Sequence, residues 1–198
     1  MAEKIFPTKR IEFKEGKIEK INASLIEKRK GIDQAQLVFG YHMPSLLDKK
    51  RYAAEILDVI LGKGMASRLF QEIREKRGLA YAVKGMLEQD KNYGYEMIYI
   101  GTVKEKINEI KELILKEIKK MQNLEKKDFE QAKEQLHGLN ALATESSADV
   151  MRVLIQEENA GNAEEYYKYD ERIEKVKLED VRKLARLGGY SFVALVPD

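Results

Sequence analysis

The sequence predicts an α+β fold: a two-layer sandwich of one mostly antiparallel sheet with helices on one face. Strand-like segments come as two neighbouring pairs and one final strand, and the helical segments cluster between them. A chain of 198 residues with 43% apolar residues is large enough for a single domain with a real core. The resulting order, ββααββααααβ, is typical of helices packed on one side of a sheet made from hairpins.

The strands are identified by alternation of apolar and polar residues. Residues 1–14 are polar and include Pro7, so we predict a linker-like lead-in there and a single domain over 15–198. A first strand is expected near 18–27, with Ile21, Ala23 and Leu25 on one face. The other predicted strands are 34–41, the hairpin arms 80–88 and 93–102, and 190–196.

The helices are identified by apolar residues at helical spacing. Asp48 is a candidate N-cap for the first helix, and Gly62 and Gly64 are expected to let the chain turn sharply before the second. A long stripe from Val103 to Met121 predicts an amphipathic helix. The predicted helices are 48–62, 67–76, 103–121 with its continuation 124–142, 146–160, 163–173 and 178–187.

Composition excludes several classes of function. The formal charge of +2 and the alternating signs argue against a dedicated nucleic-acid binder. The absence of cysteine excludes disulfides and thiolate metal sites. No apolar run is long enough to span a membrane, and the first residues lack a signal-peptide pattern. We therefore expect no membrane association and a cytoplasmic location.

The sequence contains no complete catalytic motif. The two histidines, His42 and His137, lie outside any zincin or inverzincin motif, so a zinc site within this chain is not expected. No G-x-S-x-G elbow is present, and the glycines of 62–67 do not form a phosphate-binding loop. We expect no catalytic residue, metal or cofactor in this chain.

The segment 61–83, LGKGMASRLFQEIREKRGLAYAV, is the most specific motif. It resembles the signature of the C-terminal half of the pitrilysin/insulinase zinc peptidases, whose relatives include mitochondrial processing peptidase. The ending 172–197 resembles that family too, except that Leu178 follows Lys177 where the family has Thr and then a small residue, which weakens the helix cap. The resemblance covers roughly residues 15–198.

The resemblance implies one half of a two-half enzyme. In that family the N-terminal half carries H-x-x-E-H and the zinc, while the zinc-free half supplies an Arg and a Tyr seven positions apart. The matching residues are Arg74 and Tyr81, which are thereby predicted to bind substrate. From the residues alone, Arg74 could equally lie on a helix face and Tyr81 could pack at a strand edge.

Three hypotheses follow. The leading one is the non-catalytic, substrate-binding half of a zinc endopeptidase, inactive alone, whose partners are a catalytic half with the inverted zinc motif and a peptide substrate. The alternatives are an inactive structural or scaffolding subunit of a processing-peptidase-like complex and a free-standing binding module. A lone half would leave its pairing face open, so a homodimer is possible.

Overall fold

A computed structural model of the chain describes residues 18–198; the predicted lead-in, 1–14, lies outside them. Five strands form one sheet: β1 (Ser24–Arg29), β2 (Ala35–His42), β3 (Ala80–Gln89), β4 (Gly94–Thr102) and β5 (Ser191–Pro197). Their spatial order is β1-β5-β2-β4-β3, so β1 and β3 are the edges. Only β1 and β5 run parallel, which confirms the mostly antiparallel sheet.

The first strand differs from its prediction. It begins at Ser24 instead of residue 18, and the apolar residues placed on one face are not buried, since Ile21 and Leu25 are 70% and 56% exposed. The physical reason for this exposure is the position of β1 in the sheet. β1 lies at the edge, beside β5 alone, so its alternating apolar residues have little to pack against.

Nine helical segments of three kinds lie in the described region. The α-helices are α1 (Arg51–Leu61), α2 (Ile107–Met121), α3 (Lys126–Ala143), α4 (Ser147–Asn159), α5 (Tyr169–Glu174) and α6 (Leu178–Leu184). Two segments, Lys104–Lys106 and Ala163–Lys168, are 3₁₀-helices. The segment Phe70–Glu75, predicted as α-helix, is a π-helix, with the Lys76 N–H bonded to the Gln71 carbonyl at 2.9 Å.

The core lies between the helices and one face of the sheet. Along β2 every second side chain is buried, and Leu37 and Phe39 are at most 1% exposed. They meet Ile56 and Leu57 of α1 and Ile110 and Ile114 of α2 in one continuous apolar cluster. The opposite face of the sheet carries half-exposed side chains, so it is the open face of the sandwich.

The turn after α1 confirms one of the two glycine predictions. Gly64 has φ +81°, a left-handed conformation that glycine adopts without strain. Gly62 instead has φ −132°, so its small size must matter for another reason. Asp48 lies before the first helix and accepts the Lys50 N–H at 2.8 Å, although the helix begins at Arg51. Within residues 18–198 no helix is both long and apolar enough to cross a membrane.

Candidate substrate-facing site

Arg74 lies in the last turn of the π-helix with its side chain exposed. Ile73 and Phe70 of the same helix are buried and anchor it in the core. The Arg74 guanidinium carbon lies 5.1 Å from the centre of the Phe70 ring, within range of a cation–π interaction. The ring therefore orients a guanidinium that still faces solvent.

Arg74 is free of ion pairs within the described part of the chain. Glu72, two residues before Arg74, is already engaged by Lys76 and by Arg77, whose Nη1 lies 2.5 Å from Glu72 Oε2. Hydrogen bonds from Lys76 and Arg77 lower the pKa of Glu72 to about 2. Because two cations occupy Glu72, all five donor hydrogens of Arg74 remain available to another molecule.

A glycine turn joins the π-helix to β3. Gly78 has φ +61°, and its N–H donates to the Arg74 carbonyl at 3.0 Å. The next residue, Leu79, donates to the Ile73 carbonyl at 2.9 Å, and its own carbonyl accepts from Thr102 Oγ1 at 2.5 Å. These hydrogen bonds, which are typical of a helix that ends at a glycine, hold the start of β3 against the helix.

Tyr81 lies on a β-bulge at the start of β3. Ala80 pairs with Thr102 and Ala82 with Gly101, so Tyr81 is the extra residue in the ladder. Its side chain is 58% exposed, and its hydroxyl has no hydrogen-bond partner among the described residues. A bulge re-aims a side chain and is common beside functional sites. The Tyr81 side chain is therefore not packed against its neighbours at the strand edge, which was the alternative interpretation of this residue.

The open face of the sheet continues from Tyr81. Ala82 and Lys84 follow on β3, and Tyr99 on β4 stands opposite Lys84. The Tyr99 hydroxyl is bonded to the Gln36 side chain of β2. Tyr95 and Tyr93 stack farther along, with ring centres 6.0 Å apart. The result is a partly apolar, tyrosine-rich wall.

Arg74 and Tyr81 flank one glycine turn without bonding to each other. Both offer donors to solvent: a planar fork from Arg74 and a single O–H from Tyr81. Donors held rigidly and without internal partners can stabilise negative charge that develops on a substrate oxygen. The arrangement suits binding of a peptide carbonyl or carboxylate.

The histidines do not form a metal site. His137 of α3 lies between Asp170 Oδ1 at 2.7 Å and Glu174 Oε1 at 2.8 Å, and its hydrogen bonds to these carboxylates raise its pKa. His42 lies elsewhere, at the end of β2. Among residues 18–198, no three His, Cys, Asp or Glu side chains are grouped so as to hold a metal ion.

Sequence reasoning missed a buried acidic cluster between α1 and the sheet. Asp58 and Glu96 are 3% and 0% exposed, and their carboxyl groups interact with each other. Burial raises the pKa of Asp58 to about 6, and burial and the charge of Asp58 raise that of Glu96. The signal was present, since Glu96 alternates in phase with Ile98 and Ile100.

Two further buried polar contacts hold α1 in place. Arg51 Nη2 lies 2.8 Å from Glu157 Oε2 of α4, and both side chains are almost fully buried. The Tyr169 hydroxyl of α5 donates to Glu55 Oε2 at 2.6 Å. Burial raises the pKa of Glu55 to about 7 despite that hydrogen bond.

The described residues form an α+β domain with one mostly antiparallel sheet and helices on one face. The family described as "Peptidase M16 inactive domain" matches residues 3–136. The chain belongs to this family, which confirms the resemblance stated from the 61–83 motif.

Named relatives resemble the chain in sequence, and solved structures resemble it in fold. The uncharacterized zinc protease SCO5738 of Streptomyces coelicolor is 32% identical over 161 residues, which cover 78% of this chain and 34% of that protein. A conserved protein from Enterococcus faecalis has a TM-score of 0.79 at 20% identity, covering 92% of this chain and 44% of that one. The inactive peptidase domain of a putative zinc protease from Bordetella parapertussis has a TM-score of 0.73 at 15% identity, covering 86% and 96%. The chain thus spans about a third of the curated relatives it matches.

Proposed function

We propose that this chain is the substrate-binding half of a zinc metalloendopeptidase, with Arg74 and Tyr81 directed at the active site of a catalytic half. The observation that carries the proposal is that the Arg74 and Tyr81 side chains are exposed and can bind another molecule. Both side chains are exposed and held by the same glycine turn, and neither has an ion-pair or hydrogen-bond partner among the described residues. Its membership of a peptidase family's inactive domain supports the same assignment.

The chemistry divides between the halves. The described residues of this chain hold no zinc ligand set, so the zinc would belong to the catalytic half, where it would activate the attacking water. Tyr81 would donate its O–H to the oxyanion that develops on the substrate carbonyl. Arg74 would bind a substrate carbonyl or carboxylate through its planar fork.

Reassembly tests the proposal. The chain would be purified alone and together with a catalytic half that carries H-x-x-E-H from the same organism, and cleavage of a quenched fluorescent peptide library would be measured. We expect activity only from the mixture, with zinc in the catalytic half. Activity of the catalytic half that does not change on adding this chain would contradict the proposal and favour a scaffolding role.

The tyrosine-rich open face of the sheet would then line the chamber between the halves. The cytoplasmic location of the chain and its likeness to processing peptidases remain predictions. Fractionation of native cells with an antibody against this chain would locate it.

A further inference from the structure

A second concave surface lies at the end of the sheet, where β2 ends and β5 begins. It is a cavity with a volume of about 320 Å³, at the lower end of the range of about 300–1,000 Å³ typical of small-molecule sites. Its lining comes from the residues before β1, from the end of β2 and from the segment 184–189, which leads from α6 to β5. Neither Arg74 nor Tyr81 lines the cavity, so it lies apart from the candidate substrate-facing site.

The lining of this cavity carries positive charge without a compensating negative charge. Lys20 and Arg186 are exposed side chains of the lining, and His42 adds an imidazole, which donates at least one N–H. None of the nine described residues that line the cavity is Asp or Glu. An anion is therefore the ligand that the charges of the lining favour.

Arg186 differs from most arginines of residues 18–198. Seven of the nine arginines there form an ion pair with a carboxylate, and the two that do not are Arg74 and Arg186. The side chains of Arg186 and Lys20 also have no hydrogen bond to a described residue. A guanidinium without a partner keeps all five donor hydrogens for a ligand, and its planar fork matches two oxygens of one oxyanion.

The loop between α6 and β5 adds backbone donors to the cavity. The N–H groups of Gly188 and Gly189, two successive residues of the lining, donate to no described residue. A Cβ atom on Gly188 would meet nothing within 4 Å, whereas one on Gly189 would lie 2.6 Å from Nδ2 of Asn22, which also lines the cavity. The backbone here is therefore bare of side chains, and successive free N–H groups of this kind form anion-binding concavities.

Hydrogen bonds hold together the segments that form the cavity. The Ala23 N–H donates to Ser191 Oγ at 3.1 Å, and the Phe192 N–H donates to the Ala23 carbonyl at 2.9 Å, which joins the chain before β1 to the start of β5. The Gln122 side-chain amide donates to the Ala185 carbonyl at 3.2 Å, which fixes the end of α6. The backbone that carries the donors is therefore positioned before a ligand binds, which lowers the cost of binding.

We propose that this cavity binds a phosphate group, held by the side chains of Arg186, Lys20 and His42 and by the N–H groups of Gly188 and Gly189. Two unpaired cations match the charge of about −1.5 to −2 that a phosphate monoester carries at pH 7, whereas a carboxylate would neutralise only one of them. The small volume of the cavity admits free phosphate or the monoester of a small molecule. Binding there is independent of the proposed function, because it uses neither of the residues assigned to the peptidase site.

Titration of the ¹⁵N-labelled 198-residue chain with inorganic phosphate tests the proposal. Spectra would be recorded at one pH, with sodium chloride adjusted so that the ionic strength stays constant and screening does not change. The amide resonances of Gly188 and Gly189 should shift and saturate, because their N–H groups are proposed to donate to the phosphate. Shifts that do not saturate, or that spread over lysines elsewhere without reaching these two glycines, would overturn the proposal.

Variants then identify the side chains that bind. Arg186→Gln should weaken phosphate binding at least about tenfold, because a charge-assisted, bidentate contact is lost, and Arg186→Lys should weaken it less. Tm should stay at the parent value in both variants, since the Arg186 side chain has no described partner. Arg152→Gln removes an exposed arginine outside the cavity and is the matched control, which should change nothing. Phosphate affinity that is equal in Arg186→Gln and in the parent would refute the site.

Two further probes distinguish the sources of the phosphate group. Acetate should bind more weakly than phosphate, and acetate binding of equal affinity would overturn the preference for phosphate. Glycerol phosphate that binds more tightly than inorganic phosphate would support the site and identify an organic monoester as its ligand, whereas equal affinities would support free phosphate. All of these measurements use the chain alone, so a failure to reconstitute peptidase activity would leave the phosphate site standing.

Discussion

Gly62 and Gly85 pack backbone against backbone. A Cβ atom on Gly85 would lie 2.6 Å from the Gly62 Cα, and one on Gly62 would lie 2.7 Å from the Gly85 Cα. This contact explains why residue 62 is glycine although its φ is negative. The turn after α1 can lie against β3 only when neither residue has a side chain.

Gly85→Ala should destabilise the protein by about 1–3 kcal/mol, because the added methyl must displace backbone in a packed contact. Each kcal/mol corresponds to a fall in Tm of roughly 2–4 °C for a chain of this size. Gly138→Ala is the matched control, since Gly138 lies within α3 with nothing near its missing Cβ. That change should stabilise by about 0.5–1 kcal/mol through helix propensity. Thermal melts of both proteins would show the opposite signs.

Tyr81→Phe should reduce kcat of the reassembled enzyme by about 10²–10³-fold, as for loss of other oxyanion donors. The hydroxyl is exposed and has no partner in the described residues, so the fold should lose nothing and Tm should be unchanged. Tyr95→Phe, on the same open face, is the control. An unaltered kcat in a correctly assembled Tyr81→Phe enzyme would remove the role proposed for this residue.

Arg74→Ala should raise KM as well as lower kcat, because Arg74 is proposed to hold substrate in the ground state also. Stability should change little, since the side chain is exposed and its one described contact is the face of Phe70. Arg77→Ala serves as a control for removal of a nearby positive charge. Steady-state kinetics in which Arg77→Ala and Arg74→Ala behave alike would indicate a general electrostatic effect and not a specific contact.

Glu157→Ala should cost about 3–5 kcal/mol, because it leaves the buried Arg51 guanidinium without its carboxylate. Loss of a surface partner should matter far less: Glu171→Ala breaks an exposed pair with Lys175 and should cost at most about 1 kcal/mol. Urea unfolding of the two variants at one pH compares the pairs directly. Similar losses would mean that the Arg51–Glu157 pair contributes no more than a surface ion pair.

The Glu96→Gln substitution should stabilise the folded protein, relative to the parent, by an amount that increases as pH rises. The pKa of the Glu96 carboxyl is raised by burial and by Asp58, so the folded state holds a proton that the unfolded state releases above about pH 4.5. The stability that this proton contributes is present below pH 4.5 and is lost as pH rises through the raised pKa. Relative to the parent protein, Glu96→Gln should therefore gain stability between pH 5 and pH 8.

Urea unfolding of both proteins at several pH values in that window tests the slope. Glu112→Gln, at an exposed site on α2, is the control and should show no pH-dependent difference from the parent. A difference between Glu96→Gln and parent that does not change with pH would show that Glu96 is ionised throughout.

Much of this architecture could be predicted from local pattern. The alternation in 34–41 and the stripe of α2 report burial directly, and both elements are found close to their predicted bounds. The pattern failed where burial depends on neighbours: Ile21 and Leu25 alternate like core residues, but lie at an edge that no second strand covers. The π-helix geometry of 70–75 depends on packing of Phe70 and Ile73, which spacing does not distinguish from α-helix.

The candidate site, like the fold, could be predicted from the sequence only in part. Arg74 and Tyr81 were found through a family motif, whereas their availability depends on the Glu72 ion pairs and on the bulge, which are three-dimensional facts. The buried position of Asp58 beside Glu96 could not be assigned from sequence, because it follows from how α1 packs on the sheet. The role of the Arg74–Tyr81 pair stays a prediction.

The parallel pairing of β1 with β5 also bears on how the chain folds. The Ala23 N–H donates to Ser191 Oγ, a contact between residues 168 positions apart. At about 5–20 residues per second, a ribosome needs roughly 8–34 s to make the chain between them. Until then β1 has no strand neighbour and β2 lacks one of its two. The sheet is completed only after β5 has been synthesised, so slow, late closure with transiently unpaired edges is the expected route to the native state.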